Sequence, residues 1–453
     1  MFPTIAEYNK AIQSRGILAF RTLKDITFIP SRTVPVRIYS YGSGSYAVVF
    51  KGVGTDKEYA IRCFISAEHE NIERYRRIAK YLEGLSPGWL THFEFIEDEI
   101  EVNDTAFPVI KMEWLDGLLL NNYISLVLNE PIALTELQEE IVQVSASLEA
   151  LKVGHGDIQC GNVIITKNDS GKTVLRLIDY DGMYIPEFAN KVNLERGRTE
   201  FQHPGRSSLH FDEKIDRFSF WVIICALEAI KTDPSLWQEI MQGGFNTLDN
   251  VLFTGEDFRF FHKSKLVKKL YGYNQPALTF YLNRIYTFLQ QGTQSVEAPY
   301  LAKGDNLNEE PAIISENPLS FETPENHAGG ANANENAVFG GKSESDNGDN
   351  PGDSEISIIS HPAGAAVMDS TFRNIGVTPL RIKKADYLGK KLVVAYGTQI
   401  KQCSIIHGSS KIELSFDNLK NNNGANFDGG NVNKPTYAPP QSKSTFIYPD
   451  KTL

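Results

Sequence analysis

From Met1 to Thr293 the apolar positions are dense and follow two periods. In "YAVVFKGV", "EYAIRCF" and "AFPVIKMEWL" they alternate or run together over a few residues, which predicts β-strands. In "LTELQEEIVQVSASLEAL" and "ALTFYLNRIYTFLQQ" they return every three or four positions, which predicts helices with one buried stripe. Strand patterns crowd the first third of this stretch and helix patterns follow. The expected fold class is therefore α+β in two lobes, a β-rich one preceding a helical one.

The periodicity lapses near Pro299. Asn306 to Ser354 is rich in Asn, Gly, Glu, Asp and Ser, with Lys342 its one Lys or Arg. Such a stretch has too little apolar surface to offset chain entropy and reads as a disordered, acidic linker. β-branched alternation returns in "EISIIS", "LRIKKA", "KLVVAYG" and "SSKIELSF", then gives way to Asn, Gly and Pro from Asn421 onward. The expected organisation is an N-terminal extension over 1–37, an α+β domain over 38–297, the linker over 298–354, a small all-β domain over 355–419 and a disordered tail over 420–453.

Composition narrows the classes of partner. Over 453 residues the net charge is −11, which argues against nucleic acid or anionic lipid as a general partner. The most apolar helical stretch, "FSFWVIICALEAI" from Phe218, is too short to span a bilayer, so no membrane span is expected. The N-terminus lacks the unbroken apolar run of a signal peptide. The four cysteines form no CxxC pair and read as reduced structural thiols, so the expected location is cytoplasmic.

Three motifs carry candidate chemistry. In "YGSGSYAVVF", Gly42, Gly44 and Ala47 form a hairpin tip small enough for backbone N–H groups to approach phosphate oxygens, although a Gly-rich tip alone is often only a tight turn. In "HGDIQCGNVIIT", Asp157 can accept a proton from an attacking hydroxyl, and Asn162 can offer an amide oxygen to magnesium. In "LRLIDYDGMYIP", an apolar strand delivers Asp179 as a second metal ligand, and one or two such ligands plus phosphate oxygens suffice for Mg²⁺.

Taken in this order, the motifs make the chain from about Ile38 to Gln291 resemble the eukaryotic-type protein kinase superfamily in a compact bacterial form. The resemblance implies a fold of two lobes with ATP and Mg²⁺ between them, and transfer of the γ-phosphoryl group to a Ser or Thr hydroxyl of a protein substrate. Gly42, Gly44, Ala47 (in place of a third glycine) and Val49 would cover the phosphates. In "PVIKMEWLDG", Met112 would be the gatekeeper, with Glu113 and Trp114 along the adenine edge and Ala60 beside the base. Asp157 would be the catalytic aspartate, and Asn162 and Asp179 would hold magnesium. "GRTEFQHP" looks like the end of an activation segment, and Asp216 like the buried anchor that follows it.

The departures from the family cluster. Arg62 stands at the third-strand lysine position, Asp181 replaces the glycine of DFG, Gly205 replaces a glutamate, and Arg198 a threonine. Arg62 alternates with the apolar Ile61 and Cys63, so it is expected to face inward and clamp the α- and β-phosphates. Its helix partner could be Glu68 or Glu73, and the helix pattern does not choose between them. Two alternatives therefore stand beside the active enzyme. One is a pseudokinase that binds nucleotide and acts as a scaffold. The other is a small-molecule phosphotransferase of the aminoglycoside or choline type, which shares His155-Gly156-Asp157 but lacks the activation-segment ending and the Asp216-Arg217-Phe218-Ser219 signature.

The distal β pattern resembles the PEGA repeat at Ser360, Pro362, Gly364, Ala365, Val367, Gly376, Thr378 and Pro379, with Ala363 in place of the name-giving glutamate. The resemblance implies a non-catalytic module that binds a protein partner. The linker before it implies a module independent of the first domain.

Overall fold

The computed structural model describes residues 2–31, 38–43, 46–55, 57–65, 69–193, 195–242, 250–312, 355–396, 399–405 and 410–416. The fold is mixed α+β. Helix α1 (Ile5–Arg15) opens with a capping box in which Thr4 and Glu7 satisfy each other's backbone N–H groups. Strands β1 (Thr27–Phe28), β2 (Ser40–Ser43), β3 (Ala47–Val53), β4 (Glu58–Phe64), β5 (Phe93–Val102) and β6 (Thr105–Glu113) form one antiparallel sheet in the order β1-β3-β4-β6-β5, with β2 on β3.

The period-two alternation of β4 decides what each sheet face does. Ile61 and Cys63 pack into a core with Tyr8, Ile12 and Phe20 of the N-terminal extension. Ala60 and Arg62 face the other way, opposite Lys51 and Val49 of β3. The extension therefore braces the sheet. Tyr8 Oη donates to the Phe64 carbonyl at 2.8 Å, and the buried Glu99 carboxylate accepts the N–H groups of Thr22 and Leu23 at 2.8 and 2.7 Å. Tyr8→Phe, which leaves that carbonyl without its donor, is expected to lower stability by about 1 kcal/mol, read as a shift of the urea midpoint.

Helix α2 (His69–Leu82) lies against the sheet face that carries Arg62. Beyond the sheet come β7 (Leu118–Leu119), α3 (Leu120–Leu126) and the long α4 (Pro131–Ala150). The hairpin β8 (Val163–Lys167) and β9 (Thr173–Leu177) follows, and then α5 (Arg217–Thr232), α6 (Ser235–Gln242), α7 (Gly255–Arg259), α8 (Lys265–Gly272) and α9 (Pro276–Gln291). Helix α5 is buried on nearly every side, which explains why "FSFWVIICALEAI" is apolar all round. Among the described residues no helix is long and apolar enough to cross a membrane.

Residues 298–312, expected to be the start of the linker, are packed against the helices. Tyr300 packs edge-on against Trp221, Glu309 pairs with Arg284 at 2.8 Å, and Ala312 N donates to Asn283 Oδ1 at 2.9 Å. Tyr300 and Leu301 supply enough apolar surface to hold this segment on α9. Residues 313–354 and 417–453 lie outside the described residues, and with them most of the expected linker and tail.

Residues 355–416 form two small sheets. β10 (Glu355–His361) lies between β13 (Leu380–Lys383) and β16 (Lys411–Ser415), while β11 (Ala366–Met368) lies between β12 (Asn374–Val377) and β14 (Lys391–Tyr396), with β15 (Gln399–Ser404) outside β14. One short helix, α10 (Lys384–Tyr387), interrupts the expected all-strand pattern. Ile356, Ile358, Val367, Leu392 and Val394 make a core of their own. The Thr378 hydroxyl accepts the N–H groups of Gly364 and Ala365 at 3.1 and 2.9 Å and meets Ser360 Oγ, which ties the "SHPAGA" and "GVTP" segments together.

The independence expected of this unit is not what its packing shows. Met368, Phe372 and Val393 join the core of the helical part, and Phe372 sets its ring edge-on to Tyr123 of α3, 5.9 Å between centroids. Phe372 is the one apolar side chain in an otherwise polar tip, residues 369–374, and linker composition says nothing of such a single docking ring. Phe372→Ala is expected to release the two sheets without unfolding them, because their own core stays intact. Amide exchange should then rise along Leu120–Leu126 while that of β10 and β14 stays slow; unchanged exchange in α3 would refute the contact.

Candidate active site

The β8–β9 hairpin determines which polar groups meet. Val163 pairs with Leu177, and Ile178 N donates to the Asn162 carbonyl at 3.1 Å. Asn162 and Asp179 therefore stand at adjacent strand ends, as the motif spacing implied. Asp179 takes up a left-handed backbone (φ 64°), a costly conformation for a residue other than glycine that tertiary contacts must hold. Below it, Tyr180 is fully buried, stacked on Phe93 at 5.1 Å and edge-on to His155 at 5.7 Å.

The loop carrying Asp157 is fixed from the N-terminus of α5. The Asp216 carboxylate accepts the backbone N–H groups of His155 and Gly156, the latter at 2.8 Å, as expected of a buried anchor. His155 Nε2 donates to the Ile178 carbonyl at 2.9 Å, which leaves Nδ1 to accept from Asp157 N, and burial keeps the ring neutral by lowering its pKa. Gly156 needs its positive φ of 83° and its missing side chain, since a Cβ there would lie 2.3 Å from the Gly182 carbonyl oxygen. Gly156→Ala is expected to cost about 2–3 kcal/mol, measured as a lowered unfolding midpoint.

Asp157 is held on one side only. Its Oδ2 accepts from Gln159 Nε2 at 2.6 Å and Asn162 Nδ2 at 2.8 Å, while Oδ1 is buried without a hydrogen-bond partner among the described residues. Asn162 Oδ1 is likewise buried and unpartnered. Burial pushes the Asp157 carboxyl up to about 6, with the nearby Glu195 charge adding to the effect. Gly197 closes over Oδ1, where a Cβ would come within 3.1 Å.

Arg62 crosses from β4 to meet this group. Its Nη1 lies 3.1 Å from Asp179 Oδ1 and 2.9 Å from Asp181 Oδ1, and its Nη2 lies 2.7 Å from Asp181 Oδ2. The guanidinium also contacts the Tyr75 hydroxyl and sits 4.9 Å from the centre of that ring. Of the two glutamates expected as its helix partner, only Glu73 is described. Glu73 faces outward and binds Arg76 and Arg77, and Glu68 lies outside the described residues. Burial opposes ionisation of Asp181, but Arg62 outweighs it and holds Asp181 below the usual carboxylate range. Asp179 is driven the other way, by burial and by the charge of Asp181.

The remaining sequence-derived residues are partly gathered here. Val49 pairs across the sheet with Arg62, and Ala60 with Met112, so all four share one face. Ala47 is buried beside Phe64, and Gly42 pairs with Val49, while Gly44 lies outside the described residues. The expected edge residues use their N–H groups within the protein: Glu113 N donates to the His92 carbonyl and Trp114 N to the Glu58 carbonyl, both at 3.0 Å. The Trp114 ring instead lies 4.4 Å from Lys51 Nζ, and the Glu113 carboxylate binds Arg176 at 3.1 Å. A groove of about 640 Å³ lies apart from the chemistry, lined by Arg76, Lys80, His92, Phe95 and Glu97 and by none of Arg62, Asp157, Asn162 or Asp179.

Four participants were not picked out from the sequence. Asp181 was named only as a departure, and Tyr75, Lys51 and Arg206 were not singled out. Arg206 Nη2 donates to the Gly156 carbonyl at 2.9 Å from inside the "HPGR" turn. No protein-family model matches the chain, and no curated protein is detectably similar to it in sequence.

Proposed function

We propose that the chain transfers the γ-phosphoryl group of Mg-ATP to a Ser or Thr hydroxyl of a protein, in a bilobal, protein-kinase-like domain tethered to a PEGA-like all-β module. One observation carries the reading. Arg62 of β4 and the group Asp157, Asn162 and Asp179, about a hundred positions further on, share a buried site in which two acceptor oxygens, Asp157 Oδ1 and Asn162 Oδ1, have no partner among the described residues. An amide oxygen next to a carboxylate on the adjacent strand end fits magnesium, with Asn162 and Asp179 as its holders. Bound there, magnesium would neutralise charge on the phosphate oxygens.

The chain's own groups have separable tasks in this reading. Asp157 Oδ1 orients the substrate hydroxyl and takes its proton as the oxygen bonds to the γ-phosphorus; the bond from that phosphorus to the β–γ bridging oxygen breaks, and ADP leaves. Arg62 fixes the α- and β-phosphates. Val49, Ala60, Met112 and the Trp114 ring hold the base by apolar contact, since the N–H groups of Glu113 and Trp114 are already engaged.

A second reading has its own support: Arg62 is engaged by two carboxylates, which suits a protein that binds nucleotide without transferring phosphate. Purified protein with labelled ATP and Mg²⁺ decides between them. Label on protein that disappears in Asp157→Ala and in Asp179→Ala supports transfer. Thermal stabilisation by ATP without label supports the scaffold, and label on small metabolites alone would overturn the protein substrate.

A further inference from the structure

We infer that Asp181 is the positioning residue for Arg62, so that the phosphate-clamping cation is held by the loop after β9 and not by Glu73 of α2. The inference rests on the phosphotransfer reading for its purpose, but its geometry stands by itself. Asp181 meets both terminal nitrogens of Arg62, at 2.9 and 2.7 Å, whereas Asp179 meets one, at 3.1 Å. A two-point contact fixes the plane of a guanidinium as well as its position. Both partners are largely shielded, with side chains 6% and 12% exposed, so water competes little for either.

Helix α2 presents a different chemistry at this place. The one acidic side chain described in it, Glu73, is turned to Arg76 and Arg77 on the outer face. Toward Arg62 it offers Tyr75, a ring and a hydroxyl with no charge. The helix reaches Asp181 at one remove instead. Arg74 Nη2 donates to the carbonyls of Asp181 and Met183 at 3.2 and 3.0 Å, while its guanidinium lies 4.7 Å from the centre of the Phe188 ring. The loop itself is pinned by buried Tyr180 and by Gly182 against the His155 carbonyl.

The consequence is an inverted dependence. Where a helix glutamate holds the cation, moving the helix breaks the pair. Here the pair travels with residues 179–183, and α2 influences it through the backbone that Arg74 holds. It also explains why arginine stands at this position. A carboxylate beyond the end of β9 is met by a long planar fork, which an ammonium could not match at both oxygens.

Two measurements on the full chain test this. The first needs no activity: a double-mutant cycle in urea between Arg62→Ala and Asp181→Asn, beside one between Arg62→Ala and Glu73→Gln. Strong non-additivity in the first and additivity in the second are expected; additive behaviour of Arg62 with Asp181 overturns the inference, whatever the enzyme does. The second is kinetic. Asp181→Asn should lower kcat about a hundredfold with KM for ATP within threefold, Asp181→Glu should recover at least tenfold of that loss, and Glu73→Gln should change neither. An unchanged kcat in Asp181→Asn, or an equal loss in Glu73→Gln, overturns it. If the wild-type protein transfers no phosphate, the proposed function fails and the urea cycle still decides the role of Asp181.

Discussion

Asp157→Asn is expected to reduce phosphoryl transfer by about 10²–10⁴-fold while making the folded protein more stable. The two effects have one cause. Asp157 is buried, Glu195 is its neighbour, and Oδ1 has no donor among the described residues, so ionisation is disfavoured and the carboxyl is pushed up to about 6. An unfolded chain releases that proton near 3.8, the ordinary value. Between these two pH values the folded state binds the extra proton, so wild-type stability falls as pH rises through the window and levels off above it. A rise of this size corresponds to about 3 kcal/mol at neutral pH. The asparagine amide keeps an oxygen for Gln159 and Asn162 and carries no charge. In the metal-free protein its stability advantage should be near zero at pH 4 and approach the full value above pH 6. Urea midpoints at pH 4 and 7, beside the labelled-ATP assay, check both halves. Transfer surviving within tenfold would remove Asp157 as the base, and a midpoint gap that does not grow with pH would remove the buried charge.

This coupling of stability cost to chemistry bears on how far the site could be read from residues alone. Strand alternation placed Arg62 on the correct face, because Ile61 and Cys63 had to go to the other side. The spacings around Asp157, Asn162 and Asp179 were informative because a tight hairpin converts sequence distance into spatial distance with little freedom. The partner of Arg62 was not legible. It lies over a hundred positions away, at a place where the family resemblance leads one to expect glycine, and nothing local marks Asp181 as the one of two acids that Arg62 holds at both oxygens. Tyr75 was not legible either, since periodicity cannot tell a packed ring from one that also offers its hydroxyl to a cation. The contact of Phe372 with Tyr123 and the packed run through Ala312 were missed for a related reason. Composition averages over a segment, whereas a few apolar side chains suffice to dock it.

Arg62→Ala should be the most damaging single change in the sheet, costing about 3–5 kcal/mol through an effect that has nothing to do with nucleotide. The guanidinium is the cation that faces both Asp179 and Asp181, and their side chains are 4% and 12% exposed. Without it, two carboxylates and the Tyr75 hydroxyl converge in a space from which solvent is largely excluded, and at least one carboxylate must take up a proton or draw in water. The folded variant therefore holds protons that its unfolded chain releases, so its stability improves as pH falls. The gap to wild type should be widest near pH 8 and narrow toward pH 5, measured as the difference in urea midpoints. Arg62→Lys should fall between the two, because an ammonium restores the charge but cannot meet both oxygens of Asp181 while also reaching Asp179. A loss below about 1 kcal/mol that does not vary with pH is the size expected of a solvated surface pair. It would mean that Arg62 does not stand in a closed site with these two acids, and the phosphate clamp proposed for it would fall as well.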